Sequence, residues 1–204
     1  MIQSLPLSVV LLVVLFALLI FLVEIRVLTY AYRKIGVNPR YAFAVMLLSL
    51  LGSGLNIPLV PLGPGGFTAR AGQGTLIMLN VGGALIPILV SLYLLVRTGM
   101  VVRMAIGTAI VAAVVHSLAY LVPGVGIAVP MIAPPLVAAG VALILAFRRA
   151  PPVAYVAGSM GTLIGADLMN LGQIARLGVP FVSIGGAGTF DGVFLTGILA
   201  GLLA

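Results

Sequence analysis

The sequence predicts an all-α polytopic membrane protein, and three observations carry that prediction. Apolar runs of bilayer length recur along the chain up to its last residues. Hydrophobic residues make up 63% of the chain and charged ones only 6%, against about 25% charged in soluble domains. Most of the Arg and Lys fall in the short connections between those runs. One transmembrane domain over residues 1–204 is expected, with seven spans of which several are broken or kinked by Gly and Pro.

The first span is expected at about Leu5–Val27 and ends in an interface belt of Glu24, Arg26, Tyr30, Tyr32, Arg33 and Lys34. Met1–Val23 has no basic leader and no cleavage site, so it is expected to remain as a span and not to act as a signal peptide. The second span, about Tyr41–Ile57, stops at Pro58, which cannot continue a helix. Beyond it Asn56–Leu62 and Thr75–Val81 are expected to be extended and to face each other across a loop.

The third span, about Leu76–Val96, is interrupted by Gly82, Gly83 and Pro87, which predicts a kink or an unwound start. The fourth, about Met104–Val122, carries His116 and closes at Pro123–Gly126. Pro130, Pro134 and Pro135 give the fifth, about Ile127–Phe147, an irregular beginning. The sixth, about Val153–Ile174, has small residues at Gly161 and Gly165 that let a neighbouring backbone come close. The seventh, about Thr189–Ala204, has the same spacing at Gly197 and Gly201. The two last spans are expected to pack on each other through these glycines.

Composition narrows the chemistry. The absence of Cys removes disulfides, thiolate ligands and thiol nucleophiles. With one His and three acidic residues, neither a protein-ligated metal nor a cofactor is expected. The net charge of +7 is scattered between spans with no basic face or aromatic platform, so nucleic acid is not an expected partner. The expected surroundings are the lipid bilayer of the cell membrane, with transmembrane peptides as substrates and a homo-oligomer as an open arrangement.

The stretch Gly158–Gly192, within the paired-Asp region 153–204, holds Asp167 and Asp191, two of the three acidic residues. A carboxylate at the centre of a span costs about 2.5–3.5 kcal/mol on insertion scales, so both are catalytic candidates. Two carboxylates at matched depth share one proton. The ionised one then activates water while the neutral one protonates a carbonyl oxygen. Gly185, Gly186 and Gly188 are expected to let a substrate backbone approach, and Asn170, at i+3 from Asp167, to share its face. His116, Asn56 and Asn80 are secondary candidates, each also readable as a polar contact between helices.

The pair, one Asp on the sixth span and one at the start of the seventh, resembles the intramembrane aspartyl proteases of the presenilin and signal peptide peptidase class. That resemblance implies peptide-bond hydrolysis within the membrane by Asp167 and Asp191. It is incomplete: Phe190 precedes Asp191 where the class has Gly, Ala166 precedes Asp167 where it usually has Tyr, and no Pro-Ala-Leu motif is present. GADLMNLGQI and SIGGAGTFDGVFLTG also resemble a prokaryotic membrane family of unknown function.

Two other readings stay open. Broken segments at Gly52–Pro64, Gly82–Pro87 and Pro123–Pro135 fit a proton- or cation-coupled transporter of small solutes. A catalytically inactive scaffold, with the aspartates tied to Arg176 or Asn170, is the other.

Orientation follows from charge. Arg33, Lys34, Arg40, Arg97, Arg103, Arg148 and Arg149 fall in odd-numbered connections, and Arg70 and Arg176 in even-numbered ones. The positive-inside rule then places the N-terminus outside and the C-terminus in the cytoplasm, with both aspartates in the outer half. Single cysteines introduced near Arg33 and Arg148 should therefore be labelled from the cytoplasm, and those near Arg70 and Arg176 from outside. The reverse pattern would invert the topology.

Overall fold

The computed structural model describes residues 7–62, 74–122, 126–174, 180–186 and 192–204. Within them the chain is mostly helical. Four helical runs are long and apolar enough to cross a membrane: Val9–Ile35, Val81–Thr98, Val101–Leu118 and Ala133–Gln173. Arg40–Gly52 and Gly192–Leu203 are shorter apolar helices. The molecule is an all-α polytopic membrane protein to which a small sheet has been added.

The expected fifth and sixth spans fall within the single run Ala133–Gln173, which makes six apolar runs among the described residues where seven spans were expected; a turn inside that run separates the two helices. Helix α5 (Ala133–Ala146) leads through a 3-10 turn at Phe147–Arg149 into α6 (Ala150–Thr162), and the two helices pack on each other. Ala146 (φ −152°, ψ 46°) and Arg149 (φ −138°, ψ 38°) leave the helical region. Pro151 and Pro152 then restart the helix in its first turn, where the missing N–H groups have no intrahelical partner to lose.

The other helices are α1 (Leu7–Ile35), α2 (Pro39–Gly52), α3 (Ile86–Thr98), α4 (Val101–Leu118), the single turn α7 (Leu171–Ile174) and α8 (Gly192–Leu203). Local sequence sets their ends. Asn38 Oδ1 accepts the Arg40 N–H at 3.1 Å to open α2, with Pro39 at its first position. Gly99 closes α3 at φ 65°, a left-handed conformation that glycine adopts without strain.

Several expected helical ends are not helical. The second span stops at Gly52, so α2 has 14 residues, about 21 Å of rise, and α8 has 12, about 18 Å. The fourth stops at Leu118, and Tyr120–Val122 pairs instead with Gly126–Ala128 as the two-stranded ladder β3–β4. The expected extended pair is present: β1 (Asn56–Leu62) lies antiparallel to β2 (Thr75–Asn80), from Asn56 opposite Asn80 to Leu62 opposite Thr75. Strand β5 (Phe181–Ile184) adds to the other side of β2 in parallel, giving the order β1-β2-β5. Pro58 and Pro61 are confined to the edge strand β1, where a missing N–H is tolerated, and the register shifts between Pro58 and Val60.

Helix α6 is the centre of the bundle, buried continuously from Val153 to Ser159 and packed against α3, α4, α5 and α8. Small residues bring the neighbours in, only partly along the expected line. A Cβ on Gly161 would meet Val111 Cβ at 2.6 Å, and one on Gly165 would run into the Ala112 carbonyl, so that ridge faces α4. Contact between α6 and α8 runs through the expected Gly197, beneath the Ser159 hydroxyl, and through Gly158 against Thr196. Gly201 faces Ile35 of α1.

A second apolar cluster of Ile77, Ala84, Leu163, Ile184 and Val193 joins the sheet to the bundle. The first half of α1 stands clear of the rest, with Leu11, Phe16 and Leu19 all more than half exposed.

Filling the α4–α6 contact should destabilise the bundle. Gly161→Val or Gly165→Val should cost about 1–3 kcal/mol or more, as overpacking does in cores. A Cβ at Gly140 meets nothing within 4 Å, so Gly140→Ala should stay within about 0.5 kcal/mol of the natural chain. Thermal unfolding in lipid compares them directly.

Candidate functional site

Two widened helical turns meet the sheet, and the candidate site lies where they do. The first, a π-turn at Val81–Leu85, follows directly from β2 and carries Gly82 and Gly83. Pro87 in the next turn has no N–H to give to the Gly83 carbonyl, so the regular ladder cannot begin here. Asn80 takes over the start: its Oδ1 accepts the Gly83 N–H at 2.8 Å, while its Nδ2 donates to the Ser53 carbonyl at 2.7 Å and to Asn56 Oδ1 at 3.1 Å. Ser183 on β5 donates its hydroxyl to the same Asn56 Oδ1. Asn80 is buried and has both ends of its amide engaged, as a buried polar group requires. Ser49 on α2 adds a donor to the Gly82 carbonyl at 2.6 Å.

The second π-turn, Leu163–Asp167, extends α6 and is followed by a 3-10 turn at Leu168–Asn170. Such single wide turns inside helices concentrate at functional sites. The turn releases backbone carbonyls, and Asn170 captures two of them: its Nδ2 donates to Gly165 O and Ala166 O, each at 2.9 Å. Its Oδ1 accepts from Gln173 Nε2 at 2.9 Å. Asn170 was expected to share a face with Asp167 and bind substrate. It is buried, with its amide committed to the Gly165 and Ala166 carbonyls and to Gln173.

Asp167 closes the π-turn, half-buried, and its Oδ2 accepts the Gly185 N–H at 2.9 Å. Gly185 lies immediately after β5 at φ 65°, and a Cβ there would meet Ala84 Cβ at 2.7 Å and Ala84 N at 2.8 Å. Only glycine combines that backbone with that approach. Gly186 is held as tightly, because a Cβ on it would collide with Ser183.

The ladder geometry gives this contact its meaning. Leu76 N–H bonds to the Pro180 carbonyl at 2.9 Å, and Leu76 stands opposite Phe181. In a parallel ladder the partner groups then alternate. Pro180, Val182 and Ile184 turn their backbone toward β2, while Phe181, Ser183 and Gly185 turn theirs away. Among the described residues no strand covers that second edge. The Asp167 carboxylate sits on it, holding its last N–H.

Asn56, Asn80, Asp167, Gly185 and Gly186 therefore belong to one end of the molecule, with Ser183 hydrogen-bonded to Asn56. Asp191 and Gly188 lie outside the described residues, as do Arg70 and Arg176. The chain enters that last segment from Ile184 and leaves it at Val193, and both are in the apolar cluster with Leu163 and Ala84. His116 sits in the last turn of α4, half-buried, with Nδ1 enclosed and unpartnered. Ser183 and Ser49 were not singled out from sequence, since a lone Ser in an apolar run carries no distinguishing signal.

Asn80→Ala should strip the cap from Gly83 and leave Asn56 and the Ser53 carbonyl short of a donor. The expected cost is about 2–3 kcal/mol, an N-cap plus a buried hydrogen bond. Hydrogen exchange should accelerate at Gly83–Leu85 and along β1–β2 while α6 stays protected. Uniform loss of protection, or none, would contradict this role.

No curated protein and no solved structure matches the chain. Residues 18–203 match the family described as "Protein of unknown function (DUF1614)", and the chain belongs to that family.

Proposed function

We propose that the protein is an intramembrane aspartyl hydrolase of cell membranes, with Asp167 and Asp191 as its acid–base pair and an extended transmembrane peptide as its substrate. One observation carries the reading: the Asp167 carboxylate sits on the open edge of β5 at the Gly185 N–H. A peptide adding to that edge as a further strand would pair with Phe181 and Ser183, by the main-chain recognition that open strands offer. Its backbone would then run past Asp167. Asp191 precedes Gly192, the first residue of α8, where the helix dipole favours an ionised carboxylate. Val193 packs in one cluster with Ile184 and Leu163, which supports a short reach between the two aspartates.

In the proposed reaction the ionised aspartate takes a proton from water as the water attacks the peptide carbonyl. The protonated partner donates to the carbonyl oxygen, and collapse of the tetrahedral intermediate releases an amine and a carboxylic acid. Resemblance to the presenilin and signal peptide peptidase class points the same way, subject to the missing Gly before Asp191 and the missing Pro-Ala-Leu.

A second reading has its own support. Tyr155, Ser159 and Thr162 are buried hydroxyls at i, i+4 and i+7 on α6, and Ser91 of α3 is buried as well. Ser91 and Thr162 have no hydrogen-bond partner among the described residues. A hydroxyl column that rises toward Asp167 is the path that a proton-coupled transporter needs.

The two readings divide on substitution. For the hydrolase, Asp167→Asn and Asp191→Asn each abolish cleavage of a reporter transmembrane peptide, and the double variant is no worse than either alone. Ser183→Pro removes an N–H from the open edge without touching the β2 ladder, so cleavage should fall at least about tenfold. Ser183→Ala keeps that N–H and should retain most activity. Undiminished cleavage by the double Asn variant would sink the assignment. For the transporter no version cuts peptide, and Ser159→Ala with Thr162→Val slows proton-driven uptake into proteoliposomes.

A further inference from the structure

We infer that the end of the bundle opposite Asp167 binds the phosphate headgroup of an anionic phospholipid, in two adjoining clefts that share Arg148 and Arg149. One cleft, about 420 Å³, is bounded by Met100, Arg103 and the turn Ala146–Arg149. The other, about 380 Å³, lies between Lys34, Arg97 and the same two arginines, with Pro151 and Pro152 as its wall. Both volumes fall in the range of about 300–1,000 Å³ typical of small-molecule sites.

Charge alone would be explained by topology, since basic residues collect at one side of a membrane. Convergence and lack of partners are not. Lys34 and Arg97 are already used: Lys34 Nζ donates to the Leu202 carbonyl at 2.7 Å at the end of α8, and Arg97 donates to the Gly36 carbonyl and to the Tyr93 hydroxyl. Arg103, Arg148 and Arg149 have no such bond and no ion pair among the described residues. All three are exposed and line the clefts. Three uncommitted guanidinium groups around one concavity present the forked donors that suit a phosphate.

Position favours a lipid over a soluble phosphate compound. Phe147 lines the first cleft and is 79% exposed, and Ile144, three residues earlier near the end of α5, is 85% exposed. A headgroup held by Arg148 and Arg149 would lay its acyl chains on that apolar ridge. Basic pockets between membrane helices recognise anionic headgroups in this way.

The test uses the full chain in phosphatidylcholine nanodiscs. Adding phosphatidylglycerol should raise Tm by about 5 °C or more, by linkage to a site present only in the folded state. Further phosphatidylcholine, or inorganic phosphate in excess, should not. Arg148→Gln with Arg149→Gln should remove most of the shift, and Arg103→Gln alone should reduce it. Arg33→Gln with Arg40→Gln removes the same charge at the same end but outside both clefts, and should leave the shift intact. Because Arg148 and Arg149 are exposed and unpartnered, the variant's Tm in phosphatidylcholine alone should match that of the natural chain. An equal rise with inorganic phosphate would overturn the lipid assignment. So would a shift that survives the Arg148/Arg149 change, or one lost equally in the Arg33/Arg40 control.

Discussion

One constraint recurs around the candidate site: a polar group enclosed by apolar side chains needs a hydrogen-bond partner. The chain breaks its helices where that constraint is hardest to meet and then repairs each break with a side chain. Asn80 caps the π-turn at Val81–Leu85, and Asn170 takes the carbonyls freed by the π-turn at Leu163–Asp167. Asp167 holds the N–H that the end of β5 leaves over. Two of these repairs are purely structural. The third uses an ionisable group where an amide or hydroxyl would have served, and the proposed function rests on that carboxylate.

The bundle makes this arrangement rigid. Helix α6 is enclosed by α3, α4, α5 and α8, and its small residues leave no slack against α4. From Ala150 to Asp167 the chain rises about 25 Å at helical pitch, so one buried rod connects the basic end to the site. The apolar cluster of Ile77, Ala84, Leu163, Ile184 and Val193 then ties sheet, both π-turns and the start of α8 to that rod. The short helices α2 and α8 follow from the same plan. Helix α2 ends at Gly52, where the chain turns into β1.

Much of this was legible in the residues. The fold class follows from hydropathy, and the extended pair Asn56–Leu62 and Thr75–Asn80 from Pro58, Pro61 and the glycines between them. The broken start of the third span follows from Gly82, Gly83 and Pro87. Less legible were helix ends such as Leu118 and Gly52, because in a uniformly apolar chain a buried strand and a helix share the same hydrophobicity and periodicity gives no contrast. Strand β5 escaped notice for that reason and for another: its partner β2 is about a hundred residues away, and parallel pairing leaves no local turn signature. The Gly161–Gly165 ridge was recognisable as a close contact, but spacing cannot name the helix that fills it. That Asn170 spends its amide on the carbonyls of Gly165 and Ala166 was not legible, because spacing gives no sign of the π-turn that frees them.

The central claim is that Asp167 and Asp191 work as one pair at the open edge of β5. The chain has no cysteine, so Asp167→Cys with Asp191→Cys places the only two thiols at the positions in question. Mild oxidation in lipid should link them within one chain, since a disulfide forms when the two Cα atoms come within about 7 Å. Single-cysteine controls should give no such product. If the pair resists oxidation and is not bridged even by a short bis-thiol reagent in a variant that remains folded, the aspartates do not face each other and the account of a shared acid–base site is wrong.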